Sequence, residues 1–431
     1  MKPTTGGEYG LEPAIADESI GALDGYRAWS DAEIALLMEE RRALGDTRIL
    51  HINSSPEGGG VAALLQSEVR LERALGLTSH WYSIAAPEPF FRITKSLHNF
   101  LQGAPGDLDA ASWRTYHAAQ RAIGSSLARL AQNIAPDIII VHDPQPMGAV
   151  LSLDRRTRTI LRLHMDLTAP NTTVLSRLKP LMEAYDEIIV SSARYRGPLG
   201  DDPRVSIISP AIDPLSEKVS PLGREEAERI LAPLGIAMDR SFIAQISRFD
   251  PWKDPVGVIR AYRKVKAVIP EVQLVLTGTM FAQDDPEASR VLQETRAAAA
   301  GDPDIHIFAR PEDAGGAPND RFVNALYTAS TVMVQKSTRE GFGLTITESM
   351  WKAKPVVAGH SEGALLQIID GETGYIVDSV DEMALTIVRL IRDAGLRERI
   401  GRAARESVRE RFLVPRFMLD TIRLYRSLLE R

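Results

Sequence analysis

The chain has 431 residues, 44% hydrophobic and 25% charged, a globular composition long enough for more than one ordinary core. Lys and Arg total 51 against 57 Asp and Glu, a net charge of −6, which argues against a general nucleic-acid binder because nonspecific binding needs a basic face. With no cysteine, disulfides, thiolate nucleophiles and Cys-ligated clusters are excluded, and no apolar run approaches the roughly 20 residues that span a bilayer.

Residues 1–25 read as a loosely structured arm, rich in Gly, Pro and acids and without a secretory signal pattern, so a cytoplasmic protein with no membrane partner is expected. Ser30 with Glu33 fits a capping box opening a helix through Arg42. Short β-branched runs then alternate with amphipathic stretches. Strands are expected at 48–53, 80–84, 137–142, 159–164, 187–191 and 205–209, with helices such as 61–75 and 112–134 between them. These runs lack strict alternation, the mark of parallel strands buried on both faces. Segment 213–223 breaks the rhythm with Pro and Ser. After a short helix at 224–234 the rhythm resumes, with strands at 242–247, 272–277, 305–308, 331–335, 355–358 and 375–377. Helices are expected at 255–268, 286–300, 319–328 and 343–351, and the tail 380–431 is nearly all helix, interrupted near Pro415. The pattern predicts an α/β protein of two doubly wound Rossmann-like domains, with ligands beyond the carboxyl ends of the strands, in a cleft between facing domains.

Four segments carry candidate chemistry. Gly58, Gly59 and Gly60 follow the first strand and open a helix, where bare backbone and free N–H groups suit an anion; a plain strand–helix turn is the other reading. Arg248 and Lys253 follow the first strand of the second half and can converge on one phosphate, unless they are ordinary solvated cations. Glu340 and Glu348 are eight residues apart, around Gly341, Phe342, Gly343, Leu344 and Thr345. Glu340 lies in the loop before a helix and Glu348 about two turns inside it, so each meets a different part of one extended ligand, with the amides of Gly341 to Thr345 between. His142-Asp143-Pro144-Gln145 and His164-Met165-Asp166 close two strands, as structural hydrogen-bonding residues or sugar contacts. No compact ligand motif such as H-E-x-x-H is present, so no metal site is expected. The doublets Asp201-Asp202 and Asp284-Asp285 read as turns.

Together these segments resemble the retaining GT-B glycosyltransferases of the large family four, and within it the trehalose glycosyltransferring synthases and the related trehalose phosphorylases. Glu340 and Glu348 match the family's E-x7-E signature, Arg248 and Lys253 its diphosphate-binding pair, and the likeness runs from about residue 47 to 430. It implies an arm and helix at 1–46, an acceptor domain at 47–213, a donor domain at 214–415, and a helix at 416–431 returning to the first domain. The implied reaction is reversible glucosyl transfer from a nucleoside-diphosphate glucose, such as UDP- or ADP-glucose, to glucose. The product is α,α-trehalose, formed with retention by front-face attack and without an enzyme nucleophile. A phosphate-dependent phosphorylase, a family member with another acceptor, and an inactive nucleotide-sugar binder are the alternatives.

By the same resemblance, Glu340 holds donor sugar hydroxyls, Glu348 the ribose hydroxyls, and His164 meets the donor glucose near the reacting carbon. Arg248, Lys253 and the amides of Gly58 to Gly60 face the diphosphate, Arg310 lies near the nucleobase, and His142, Asp143, Gln145 and Asp166 face the acceptor. No tightly bound cofactor is implied, and any magnesium accompanies the diphosphate. The partners are small sugars, with a homodimer compatible. One stretch departs from the family: its Gly-Gly-Ile-like turn leading to a Gln reads His360-Ser361-Glu362-Gly363-Ala364-Leu365-Leu366-Gln367 here, which bears on donor choice.

Overall fold

Two sets of β-branched runs build two separate sheets. The computed structural model describes residues 9–14, 23–57, 59–154, 156–278 and 286–431. The chain divides into one unit of Met1–Pro210 with Val414–Arg431 and a second of Ala211–Leu413.

The first unit holds β1 (Gly10–Pro13), β2 (Arg48–Asn53), β3 (Thr78–Ala85), β4 (Ile138–His142), β5 (Arg158–Leu163), β6 (Glu187–Val190) and β7 (Val205–Ile207). The sheet order is β1-β3-β2-β4-β5-β6-β7. Every pairing is parallel except β1 with β3. The arm read as loosely structured thus contributes a strand. Its four residues, Gly to Pro, carry no periodic signal, and Pro13 is tolerated because β1 is an edge. Helices α1 (Arg27–Arg41), α2 (Gly60–Ala74), α3 (Glu88–Leu101), α4 (Ala110–Ile134), α5 (Thr172–Met182) and α6 (Ala193–Arg196) complete the order up to residue 210. Ser30, expected at the helix start, is instead a non-helical residue inside α1, with φ −145° and ψ 42°. Asp109 and Asn171 cap α4 and α5 by accepting amides of the first turn. Leu50, Ile52, Val141, Leu161 and Val190 from the strands pack with Phe90, Leu97, Tyr116, Ile123 and Leu178 from the helices.

The second unit holds α7 (Arg224–Leu231), β8 (Phe242–Ile246), α8 (Pro255–Lys266), β9 (Gln273–Thr277), α9 (Pro286–Ala299) and β10 (Ile305–Phe308). Beyond these come α10 (Asn319–Ala329), β11 (Val332–Gln335), α11 (Leu344–Trp351), β12 (Val356–Gly359), α12 (Glu362–Gln367), β13 (Tyr375–Val377), α13 (Val380–Arg392) and α14 (Ala394–Arg411). The sheet is parallel throughout, in the order β10-β9-β8-β11-β12-β13. In each sheet the order reverses beside one strand, β2 in the first and β8 in the second, so the loops after β2, β4, β8 and β11 occupy the ligand position of an open parallel sheet.

The last helix, α15 (Val414–Leu429), belongs to the first unit and packs on α1 and α2. Pro415 sits in its first turn, where a missing N–H breaks no helical bond. Arg423 and Arg426 both pair with Glu40 of α1. No helix among the described residues is long and apolar enough to cross a membrane.

Candidate functional site

In the second unit the chain leaves β8 through a tight turn. Asp250 accepts the amide of Trp252, and Asp254, left-handed at φ 41°, caps α8 by accepting the amide of Gly257 at 2.8 Å. A Cβ on Gly257 would sit 2.1 Å from that carboxylate, so only glycine fits. Buried Gln245 ties this turn to the loop after β11: its Nε2 donates to the Lys253 carbonyl at 3.0 Å and its Oε1 accepts the Lys336 amide at 2.9 Å. Thr338 donates its amide to the Trp252 carbonyl at 2.8 Å. With the two loops fixed, the Lys253 ammonium donates to the Glu340 carboxylate, which also accepts from the Ser337 hydroxyl at 3.0 Å. Arg248 stands half-exposed, 3.9 Å from Asp250.

The segment after Glu340 is braced from behind. Gly343 is left-handed at φ 86° and N-caps α11, followed by Leu344. The Thr345 hydroxyl donates to Gln335 at 3.3 Å. Gln367 donates to the Phe342 carbonyl at 2.6 Å and to that of Gly363 at 3.0 Å, while its Oε1 accepts the Thr347 hydroxyl. Gly363 donates its amide to the Glu340 carbonyl at 3.0 Å, and a Cβ there would lie 2.4 Å from the Phe342 oxygen. The stretch that departs from the family pattern therefore keeps the glycine and glutamine that hold the Glu340 loop. Glu348 is the fifth residue of α11, about one turn into it rather than the two of the sequence reading, since a turn takes about 3.6 residues. It is buried, accepting the Tyr327 hydroxyl at 2.6 Å and lying 3.7 Å from Lys218. The Glu348 charge holds the Lys218 ammonium above the ordinary lysine value. Arg310 is exposed after the edge strand β10 and donates its amide to Asp313.

In the first unit Gly58 lies outside the described residues, as do Asp284 and Asp285 of the second. Gly59, at φ 104°, precedes Gly60, the first residue of α2, and no side chain caps that helix start. His142 ends β4, and Asp143 turns the chain at a left-handed φ of 64°. The Asp143 Oδ1 accepts the His164 amide at 2.8 Å, and the His142 Nδ1 lies 2.9 Å from the His164 Nε2. Burial pushes the Asp143 carboxyl up to about 7 and drops both histidines well below their ordinary value. Gln120 donates to the Gln145 carbonyl at 2.6 Å, while the buried Gln145 Oε1 has no partner among the described residues. Asp166 differs: its Oδ1 accepts the amide and hydroxyl of Thr168, a turn-stabilising role.

Behind this cluster stands one the sequence reading missed. His51 on β2 has its Nδ1 3.2 Å from the His142 Nε2 and its Nε2 3.0 Å from a Glu72 oxygen. Glu72 also accepts from Ser79 at 2.6 Å and from Tyr425 of α15 at 3.0 Å. Glu68, one turn earlier on α2, lies 3.6 Å from Arg162 of β5, whose guanidinium sits 4.6 Å from the Phe417 ring centre. His51, Glu68 and Glu72 bring three ligand-type atoms within 4.8 Å of one another. The Arg162 guanidinium already supplies a cation beside Glu68. The available signal was charge placed where burial was predicted: His51 and Arg162 inside strands, and Glu68 and Glu72 one turn apart on α2.

Residues 51–197 match the family described as "Trehalose synthase, N-terminal domain", and residues 226–407 match "Glycosyl transferases group 1". A trehalose synthase of Rubrobacter xylanophilus is 41% identical over 95% of this chain and 97% of its own. The chain belongs to the trehalose synthase family. It is therefore a glycosyltransferase enzyme, with the two parallel-sheet units of the GT-B fold. A trehalose phosphorylase of Pleurotus pulmonarius is more distant, 27% identical over 84% of this chain and 54% of its own. The fold is shared with a UDP-forming α,α-trehalose-phosphate synthase of Burkholderia vietnamiensis, with a TM-score of 0.71, 16% identity and coverage of 89% of this chain and 97% of that one.

Proposed function

We propose that this trehalose synthase family member transfers glucose reversibly between a nucleoside diphosphate and glucose, making α,α-trehalose with retention at the anomeric carbon. The observation that carries this reading is the 41% identity to a trehalose synthase along nearly the whole of both chains. The second unit serves the donor. As the glycosidic bond to the diphosphate breaks, negative charge grows on the leaving group, and preorganised donors aimed at it give the main stabilisation. Lys253 and Arg248 supply the cations, and the first-turn amides of α11, which have no intrahelical acceptors, add neutral donors. Glu340 holds sugar hydroxyls and keeps Lys253 in place, and Glu348 holds the ribose. Any magnesium travels with the diphosphate.

In the first unit, Asp143 and the unpartnered Gln145 oxygen accept hydroxyls of the acceptor glucose, and His164 meets the transferred sugar. The acceptor proton passes to the departing phosphate oxygen on the same face, so no enzyme base is required. A reducing cytoplasm fits a chain without cysteine. The test is a panel of nucleoside diphosphates incubated with trehalose, with sugar nucleotide as the readout. Sugar nucleotide from at least one diphosphate is expected. Turnover of trehalose with inorganic phosphate alone would overturn the reading in favour of a phosphorylase.

A further inference from the structure

Three histidines of the first unit form a single hydrogen-bonded line that starts at a buried carboxylate. Glu72 is fully buried and receives three groups: the His51 Nε2 at 3.0 Å, the Ser79 hydroxyl at 2.6 Å and the Tyr425 hydroxyl at 3.0 Å. The two hydroxyls donate to it, and with Glu72 as a carboxylate that accepts from all three, the His51 Nε2 carries a proton. From there the line continues through two nitrogen–nitrogen contacts, His51 Nδ1 to His142 Nε2 at 3.2 Å and His142 Nδ1 to His164 Nε2 at 2.9 Å. Each such contact holds one hydrogen. The direction in which the first points therefore sets the direction of the second, and with it the tautomer of His164.

Charge balance chooses the direction. Among the described residues, the charged or titratable groups facing His51 are Glu68 and Glu72 from α2, Arg162 from β5, His142 from β4 and Tyr425 from α15. Arg162 lies 3.6 Å from Glu68, so among the described residues two buried carboxyls face one fixed cation in a region closed to water. An unbalanced buried charge is expensive, and a second proton on His51 cancels it. We propose that His51 is the imidazolium of a buried ion pair with Glu72, and that through His142 it holds His164 as the Nδ1–H tautomer, a hydrogen-bond donor toward a sugar oxygen. Both His51 nitrogens then donate, His142 accepts at Nε2 and donates at Nδ1, and His164 accepts at Nε2, which leaves Nδ1–H as its remaining polar group. Burial opposes the His51 charge, but the attraction and hydrogen bond of Glu72, with Glu68 adding, lift the imidazole above its ordinary value. His142 and His164 stay neutral, since burial and their cationic surroundings depress both. Glu72, His51 and His142 act as positioning residues, and the sugar contact itself rests on the reading of His164 given above.

The test is nitrogen NMR of the full chain labelled with 15N-histidine, without ligand, at neutral pH. Signals of His51, His142 and His164 are assigned from the spectra of single His→Gln variants. The expected result is His51 protonated on both nitrogens, with His142 and His164 neutral and protonated on Nδ1. His164 found as the Nε2–H tautomer, or His51 found neutral, overturns the proposal. So does a stoichiometric transition metal in the purified protein, because its bond to His51 would displace the Nε2 proton. Glu72→Gln is expected to discharge His51 and to lower kcat/KM for the sugar donor about tenfold, with the KM for the nucleoside diphosphate unchanged; a variant that loses thermal stability but keeps the tautomers refutes the coupling. The spectra need no turnover. Failure of trehalose synthesis with the expected tautomers would sink the functional reading alone, and active enzyme with the wrong tautomer would sink this inference alone.

Discussion

Lys253 and Glu340 hold each other: the cation proposed for the diphosphate donates to the acid proposed for the donor sugar, across two loops pinned by Gln245. Neither group is independent of the other in the free protein. Lys253→Ala and Glu340→Gln are each expected to lower kcat on the order of 10²–10³-fold, as for other preorganised groups at a developing charge. Their combination is expected to cost clearly less than the product of the two, because each single change already disorders the partner. Steady-state kinetics of the two single variants and the double variant check this. Unchanged turnover in a Glu340 variant would remove that residue from the catalytic set.

A second prediction concerns a residue that need not touch substrate. Gly363 lies against the Phe342 carbonyl, where an added Cβ would approach to 2.4 Å, and it would also come 2.8 Å from the Glu340 Cγ. Backbone cannot yield as a side-chain tip can, so Gly363→Ala must push the Glu340 loop outward. A loss of roughly 1–3 kcal/mol is expected from overpacking alone. A fall in kcat larger than that of a neighbouring surface change, such as Leu365→Ala, should accompany it. Urea unfolding together with kinetics separates the two effects, and a stable, fully active alanine variant would show that the loop does not need this brace.

What could be read from the sequence follows from what has a period. The apolar run Ile138 to Val141 and the mostly apolar run Phe242 to Ile246 were legible as strands buried on both faces, and they are. The motif residues of the second unit were legible too, since Lys253 and Glu340 stand in glycine- and proline-bearing loops after strands, where binding residues collect. The partnership between them was not, because 87 residues separate them and Gln245, which ties their loops, lies inside a strand that reads as core. The line Glu72–His51–His142–His164 was hidden for the same reason. It draws on α2, β2, β4 and the segment after β5, and only the sheet order β2-β4-β5 places those strands side by side. Strand β1 escaped because four residues ending in proline give no alternation to detect.

The acid near His164 should leave a mark on stability. Asp143 is raised by burial from 3.8 to about 7. Folded protein therefore binds this proton more tightly than unfolded chain does between those values, and stability falls as pH rises through that window. The contribution is on the order of 4 kcal/mol between the two ends, at about 1.4 kcal/mol per unit. Asp143→Asn keeps an oxygen for the His164 amide, suits the left-handed φ of 64°, and has no proton to lose. The variant is expected to be more stable than the parent at pH 8 and no more stable at pH 4, while losing activity. Equal pH slopes in urea unfolding of the two proteins would show that Asp143 is not buried in its neutral form.

The end of the chain supplies the last prediction. Tyr425 of α15 donates to Glu72, and burial holds its phenol well above the ordinary tyrosine value, so it stays a donor at any working pH. Tyr425→Phe keeps the ring and removes one of three donors to a buried carboxylate. The expected loss is about 1.5–3 kcal/mol, the range for hydrogen bonds to charged groups. Arg423→Ala removes an exposed contact to Glu40 from the same helix and should cost under about 1 kcal/mol, because water and salt screen that pair. If burial decides, the neutral hydroxyl matters more than the formal ion pair. Urea unfolding of both variants at high and low salt tests the ordering: the Arg423 effect should shrink with salt and the Tyr425 effect should not, and a reversed order would mean that α15 is held to the first unit by its surface charges rather than by the Glu72 cluster.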